Sequence, residues 1–129
     1  MSYFDKTNAS DLHVKDVVDN ENVNAQLSAM DNDIESVCLA LGVEVDDIPV
    51  DADGYLTSPT LKNYALYLFY HKILSDYWGG AGADGTDDIY KVKLEFYTSE
   101  MQKARAMLTK GNILNEKTQK SFISTFPMY

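Results

Sequence analysis

Apolar residues recur at helical spacing in three segments of the chain, and this periodicity predicts an all-α fold. The first segment begins near residues 22–24 and ends at Leu41, where Gly42 supplies the left-handed conformation that often ends a helix. Cys38 lies within the apolar stripe of this segment, so we expect a core residue rather than a nucleophile. The stripe consists of Leu27, Met30, Ile34, Val37, Cys38 and Leu41.

The second predicted helix extends from Pro59 to about Trp78. Ser58 is a suitable capping residue, and proline is favoured at the first helical position. A helix that is apolar on most of its circumference must contact several partners, so we expect this one at the centre of the core. Its apolar residues are Leu61, Tyr64, Ala65, Tyr67, Leu68, Phe69, Tyr70, Ile73, Leu74 and Tyr77.

The third predicted helix begins at Asp87 or Asp88 and ends at Lys110. Its apolar residues recur at alternating steps of four and three, which is a heptad-like seam too short for a free coiled coil. We therefore expect it to pack against other helices of the same domain. The seam consists of Tyr90, Leu94, Tyr97, Met101, Ala104 and Leu108.

The sequence thus predicts one domain, a small bundle of three main helices plus a short N-terminal element, with an extended C-terminal arm. Residues 1–22 contain either a short helix capped by Ser10 or a strand, residues 23–111 form the helical core, and residues 79–85 form a glycine-rich loop. Residues 112–129 form the arm, which either docks on a partner or folds back over the helices. Its candidate partner-binding residues are Ile113, Leu114, Phe122, Ile123, Phe126, Met128 and Tyr129.

Charge is distributed unevenly along the 129 residues, whose net charge is −9. Residues 1–58 carry 13 acidic and 2 basic side chains, and residues 59–129 carry 7 acidic and 9 basic ones. The two halves either pair within one core or face different neighbours. The overall acidity argues against a basic nucleic-acid-binding patch.

No motif in the sequence indicates an enzyme, and we expect no cofactor or metal. His13 and His71 lie in different segments without a nearby cysteine or glutamate at ligand spacing. The stretch 51–54 resembles the middle of a calcium-binding loop, but Pro49 and Thr60 occupy positions that need acidic ligands, and an Asp-Gly turn explains the same residues. The single cysteine and the absence of a signal peptide or spanning segment predict a soluble protein made in the cytoplasm.

The order of these features resembles the small helical head–tail connector (adaptor) proteins of tailed bacteriophages. The resemblance covers about residues 24–114 and rests on element order and a tyrosine-rich middle helix. The residues that carry it are Leu39–Gly42, Asp53–Leu56, Tyr64–Leu68, Tyr90–Lys93, Tyr97 and Met101–Leu108.

The resemblance implies a structural virion protein at the head–tail junction. Such adaptors form a ring, usually of twelve copies, which binds beneath the portal, meets the tail or stopper protein and continues the DNA channel without binding a DNA sequence. We expect acidic residues of the first half to line the channel or to face basic residues of a neighbouring copy. The candidates are Asp46, Asp47, Asp51, Asp53, Lys91, Lys93, Lys103 and Arg105. The alternative function is a soluble regulatory or calcium-responsive protein-binding module.

Overall fold

A computed structural model describes residues 2–11, 14–15, 18, 23–81 and 88–115. Within these ranges the fold is all-α, as the periodicity predicts, and three long helices form the bundle. The helices are α1 (Asn24–Ala40), α2 (Pro59–Ala81), α3 (Asp88–Met107) and the short α4 (Lys110–Asn115). Two single turns of 3-10 helix, Lys6–Asn8 and Val45–Asp47, lie in the connecting segments.

Helix α1 buries the predicted stripe. Met30, Ile34 and Cys38 are fully buried, and Leu27, Val37 and Leu41 pack partly buried against the same core. Val23 occupies the N-cap without a side-chain hydrogen bond. At the other end Gly42 has φ +87°, the left-handed conformation expected there.

Helix α2 is the centre of the core, and it contacts α1, α3 and α4. The predicted cap is confirmed, because the Ser58 hydroxyl oxygen accepts a hydrogen bond from the Leu61 amide at 3.3 Å. The helix continues through residues 79–81, where a flexible loop was predicted, because glycine weakens a helix without blocking its hydrogen bonds. Its buried residues are Leu61, Tyr64, Ala65, Leu68, Phe69, Tyr70, Ile73 and Leu74.

The predicted third helix is divided into α3 and α4, and this moves the start of the arm. Helix α3 ends at Met107, and Thr109 then caps α4 by accepting a hydrogen bond from the Asn112 amide at 3.0 Å. Ile113 is fully buried in the core of its own chain, so the prediction that it binds a partner is wrong. Leu114 packs partly buried against the same core, and its partner-binding role stays a prediction. An apolar pair beside α2 gains more from burial in its own core than from exposure on an arm.

Residues 116–129 remain the predicted arm. The five other candidate partner-binding residues fall within this range and lie outside the described residues. They are Phe122, Ile123, Phe126, Met128 and Tyr129.

The N-terminal segment crosses the bundle and contacts several elements. The Tyr3 carbonyl accepts a hydrogen bond from the Leu56 amide at 3.0 Å, and the Phe4 ring lies 4.8 Å from that of Phe69. Residues 14, 15 and 18 are helical, which favours the helix over the strand in this region. Asp11, rather than Ser10, caps this turn, because its carboxylate accepts a hydrogen bond from the Val14 amide.

Phe69→Ala and Phe96→Ala form a matched test of this core. Phe69 is fully buried in α2, whereas Phe96 is 56% exposed on α3. We expect Phe69→Ala to lower the free energy of unfolding by about 4 kcal/mol, since it removes a buried ring and leaves a cavity. We expect Phe96→Ala to cost about 1 kcal/mol or less in the same urea titration. Equal losses would contradict the assignment of α2 as the centre of the core.

Candidate functional site

The most highly connected polar group in the described structure is the carboxylate of Asp11. One of its oxygens accepts hydrogen bonds from Lys93 Nζ at 2.6 Å and from the Tyr97 hydroxyl at 2.5 Å. The Asp11 side chain is only 6% exposed. The Tyr70 hydroxyl oxygen accepts hydrogen bonds from the Ser10 and Asp11 amides at 3.0 and 3.3 Å. We call Asp11, Tyr70, Lys93 and Tyr97 the Asp11 cluster.

The environment of Asp11 favours its charged form. Burial by itself raises the pKa of this carboxyl group, but hydrogen bonds from Lys93, Tyr97 and the Val14 amide, together with the Lys93 charge, lower the pKa to about 2. Burial and the same hydrogen bond to Asp11 raise the pKa of Tyr97 far above its usual value. The pair is therefore a carboxylate and a neutral phenol at neutral pH, which is a stabilising contact rather than a proton-transfer site.

Three of the nine tyrosines of the chain pack together at the Asp11 cluster. The rings of Tyr70 and Tyr97 lie with centroids 4.5 Å apart, and Tyr67 lies 5.9 Å from Tyr97. Such tilted ring pairs add to the apolar burial of the aromatic side chains. These three tyrosines join α2 to α3 through their ring contacts.

Two of the four predicted interface cations, Lys93 and Lys103, form ion pairs within the chain. Lys93 pairs with Asp11 and remains 26% exposed, so its place at an interface or channel stays a prediction. A second pair links the halves of the chain, since Lys72 Nζ lies 2.8 Å from an Asp33 carboxylate oxygen. Both contacts join a carboxylate of residues 1–58 to a lysine of residues 59–129. The structure thus favours pairing of the two halves within one core.

The other three predicted cations have different surroundings. Lys103 is 71% exposed and pairs with Glu100 one turn earlier at 3.1 Å, and Lys91 is exposed. Arg105 is partly buried near Cys38. Burial raises the pKa of the Cys38 thiol to about 11, and Glu35 raises it further while the Arg105 charge opposes this. The buried Cys38 is therefore an unreactive core residue, as its place in the stripe predicts.

A stretch of the chain rich in exposed acidic residues follows α1. All five carboxylates of residues 44–53 are exposed, and we call them the acidic segment. They are Glu44, Asp46, Asp47, Asp51 and Asp53. The four predicted aspartates are therefore exposed, and their place in a channel or subunit interface stays a prediction.

The Asp-Gly turn interpretation explains the part of this segment that resembles a calcium loop. One Asp51 carboxylate oxygen accepts hydrogen bonds from the Asp53 amide at 2.8 Å and the Tyr55 amide at 3.0 Å. Gly54 adopts φ +88°, which glycine tolerates best. Among the described residues, no three acidic, histidine or cysteine side chains come together as metal ligands.

His71 has a structural hydrogen bond. Its Nδ1 lies 2.8 Å from the Thr98 hydroxyl oxygen, and that hydroxyl donates to the Leu94 carbonyl at 2.7 Å. Nδ1 must therefore donate to Thr98, which fixes the tautomer. Burial lowers the pKa of His71, and the adjacent Lys72 charge lowers it further, so the ring is neutral at pH 7. His13 lies outside the described residues.

Exposed apolar side chains mark one face of α3. Val92, Phe96 and Met107 are 61%, 56% and 64% exposed. At about 100° per residue these three positions fall within an arc of about 60°, opposite the seam that packs against α2. The predicted seam itself is confirmed at Ala104 and Leu108, which are buried.

A groove of about 600 Å³ opens beside the start of α2. Its walls come from the N-terminal segment, the turn at 51–56 and the first two turns of α2. The apolar and aromatic lining consists of Tyr3, Phe4, Tyr55, Leu56, Pro59 and Leu66. Sequence reasoning did not find this groove, because its N-terminal wall ends at Asn8, 43 residues before the next wall begins at Asp51.

The described groups supply one structural cluster, one acidic surface, one exposed apolar face and one groove. No helix in the described part of the chain is long and apolar enough to cross a membrane. Comparison with protein-family models, with curated proteins and with solved structures gives no match to this chain.

Asp11→Asn tests the electrostatic role of the Asp11 cluster. Because the folded pKa lies below the ordinary value near 3.8, the carboxylate adds stability above about pH 4, and this is lost as the pH falls toward 2. We expect the variant to lose about 2 kcal/mol of unfolding free energy at pH 6. The difference should shrink below pH 4 in urea titrations of both proteins. A difference that stays constant down to pH 2 would contradict this role.

Proposed function

We propose that this protein is a structural head–tail adaptor of a tailed-phage virion, which forms a ring between the portal and the tail. Its support begins with the order of helices. The features that resemble the adaptors fall on α1, the acidic segment, α2 and α3, in that order along the chain. The N-terminal segment lies outside the resemblance and ties these helices together.

The exposed apolar face of α3 is the observation that carries the proposal. Val92, Phe96 and Met107 lie on the outside of a helix whose opposite side already packs against α2. A ring subunit contacts the next copy through two different patches, one of which this face provides. Apolar side chains that are more than half exposed gain free energy when a neighbouring subunit covers them.

The acidic segment fits the wall of a DNA channel. Its five exposed carboxylates lie within ten residues that contain no lysine or arginine. Repeated around a ring, these charges repel the phosphates of a passing duplex, so that DNA moves through without being held. This placement gives the net charge of −9 a function in the assembly.

Assembly with the portal protein encoded by the same genome tests the proposal. We expect the full chain to form a ring, visible by native mass spectrometry and electron microscopy, and to bind the portal in co-purification. Phe96→Ser should weaken ring formation at least tenfold, because it removes apolar contact area at the subunit boundary. Leu39→Ser is the matched control, since Leu39 is 50% exposed on α1 and should assemble like the unaltered chain.

Two results would overturn the adaptor proposal. One is a chain that stays monomeric and never binds the portal. The other is a ring that Phe96→Ser and Leu39→Ser weaken equally, which would remove α3 from the subunit boundary. Thermal unfolding of each variant separates loss of assembly from loss of folding.

A charge reversal tests the channel wall. Asp46→Lys with Asp47→Lys should make the assembled ring retain duplex DNA at low salt in a mobility-shift assay, because the wall then attracts phosphates. Asp76→Lys with Glu95→Lys gives the same change in net charge at other exposed positions. If both double variants retain DNA equally, the effect comes from net charge, and the acidic segment does not line the channel.

A further inference from the structure

The groove beside α2 is built to receive an extended apolar segment. Tyr3 and Tyr55 line it from the N-terminal segment and the acidic turn, and Leu66 lines it from α2. Its volume of about 600 Å³ is in the range of binding pockets that hold several large side chains. Asp5 and Asp51 add two carboxylates to the lining, against the single cation of Lys62.

Helix α4 lies close to the end of α2 at which the groove begins. The Ser58 hydroxyl lies 3.5 Å from the Asn112 carbonyl, so α4 packs at the start of α2. Pro59 is the next residue and already lines the groove, and Lys62 follows nearly one turn later, about 4.5 Å along the helix. The chain leaves α4 at Asn115, only three residues beyond Asn112.

The composition of residues 116–129 matches the groove. The first six residues, 116–121, carry Lys117 and Lys120 against Glu116, a net charge of +1, and together they span up to about 20 Å when extended. That length covers the few turns of α2 along which the groove runs. The remaining residues supply large apolar side chains, which are Phe122, Ile123, Phe126, Met128 and Tyr129.

We propose that residues 116–129 of each chain occupy the groove of the same chain, with their aromatic side chains against Tyr3, Tyr55 and Leu66. Lys117 and Lys120 then face the carboxylates of Asp5 and Asp51. Docking within one chain is favoured over docking on a second copy, because the short tether gives a high effective concentration. This proposal goes beyond the adaptor function, since it requires neither a ring nor a portal.

Hydrogen exchange of the full chain, followed by mass spectrometry, tests this contact. We expect amides of residues 122–129 to exchange at least tenfold more slowly than in a variant carrying Phe122→Ser and Phe126→Ser. In that variant the amides around Tyr3 and Tyr55 should exchange faster, because the groove loses its occupant. The substitutions lie outside α1–α4, so the helices should keep their exchange rates and report that the bundle remains folded.

A substitution in the groove gives the reciprocal test. Leu66→Asp should release residues 122–129 to the fast exchange of the double variant. Leu39→Asp is the matched control, because Leu39 is an exposed leucine of α1 outside the groove, and it should keep the C-terminal amides protected. Circular dichroism of both leucine variants identifies any variant that fails to fold. In that case the variant with Phe122→Ser and Phe126→Ser alone tests the proposal.

Three outcomes would overturn the proposal. The first is exchange of the amides of residues 122–129 at the rate of an unstructured peptide in the unaltered chain. The second is a double variant in which the exchange rates of the groove amides do not change. The third is protection that rises with protein concentration across a hundredfold range, which would place the segment on another copy. All three outcomes are measured on the isolated chain. Failure of this proposal is therefore distinguishable from failure of ring formation or portal binding.

Discussion

The need to enclose α2 organises the rest of the structure. This helix is apolar around most of its circumference, and each large side chain removed from water contributes about 1.5–3 kcal/mol. A single partner helix covers only one side, so α1, α3, α4 and the N-terminal segment all pack against it. Phe69 is fully buried because Phe4 covers it from the N-terminal segment.

The packing around α2 creates the buried site of Asp11. Once α2 and α3 are in contact, Tyr70 and Tyr97 lie side by side, and their hydroxyl groups need polar partners. The N-terminal segment supplies them through the Ser10 and Asp11 amides and the Asp11 carboxylate. Lys93 supplies the positive charge that pairs with the Asp11 carboxylate, so these hydrogen bonds and this ion pair hold the N-terminal segment against α2 and α3.

Some acidic side chains of the first half of the chain form ion pairs within the fold, and others remain exposed at the surface. Asp11 and Asp33 pair with lysines of the other half, which is ordinary internal pairing. The acidic segment remains exposed and contains no lysine or arginine of its own. The acidic segment and the exposed apolar residues of α3 are two chemically different surfaces, and the proposed ring assigns one to its channel and the other to its subunit boundary.

The sequence by itself determined the helices, the central place of α2, the Ser58 cap and the burial of Cys38. These features follow from spacing and from contacts between residues a few positions apart, which a sequence displays directly. Only the tertiary structure decided that Ile113 belongs to the core and that Lys93 has a partner within the chain. The Asp11–Lys93 contact spans 82 residues and the groove joins Tyr3 to Leu66, so both exist only after packing around α2 brings distant segments together.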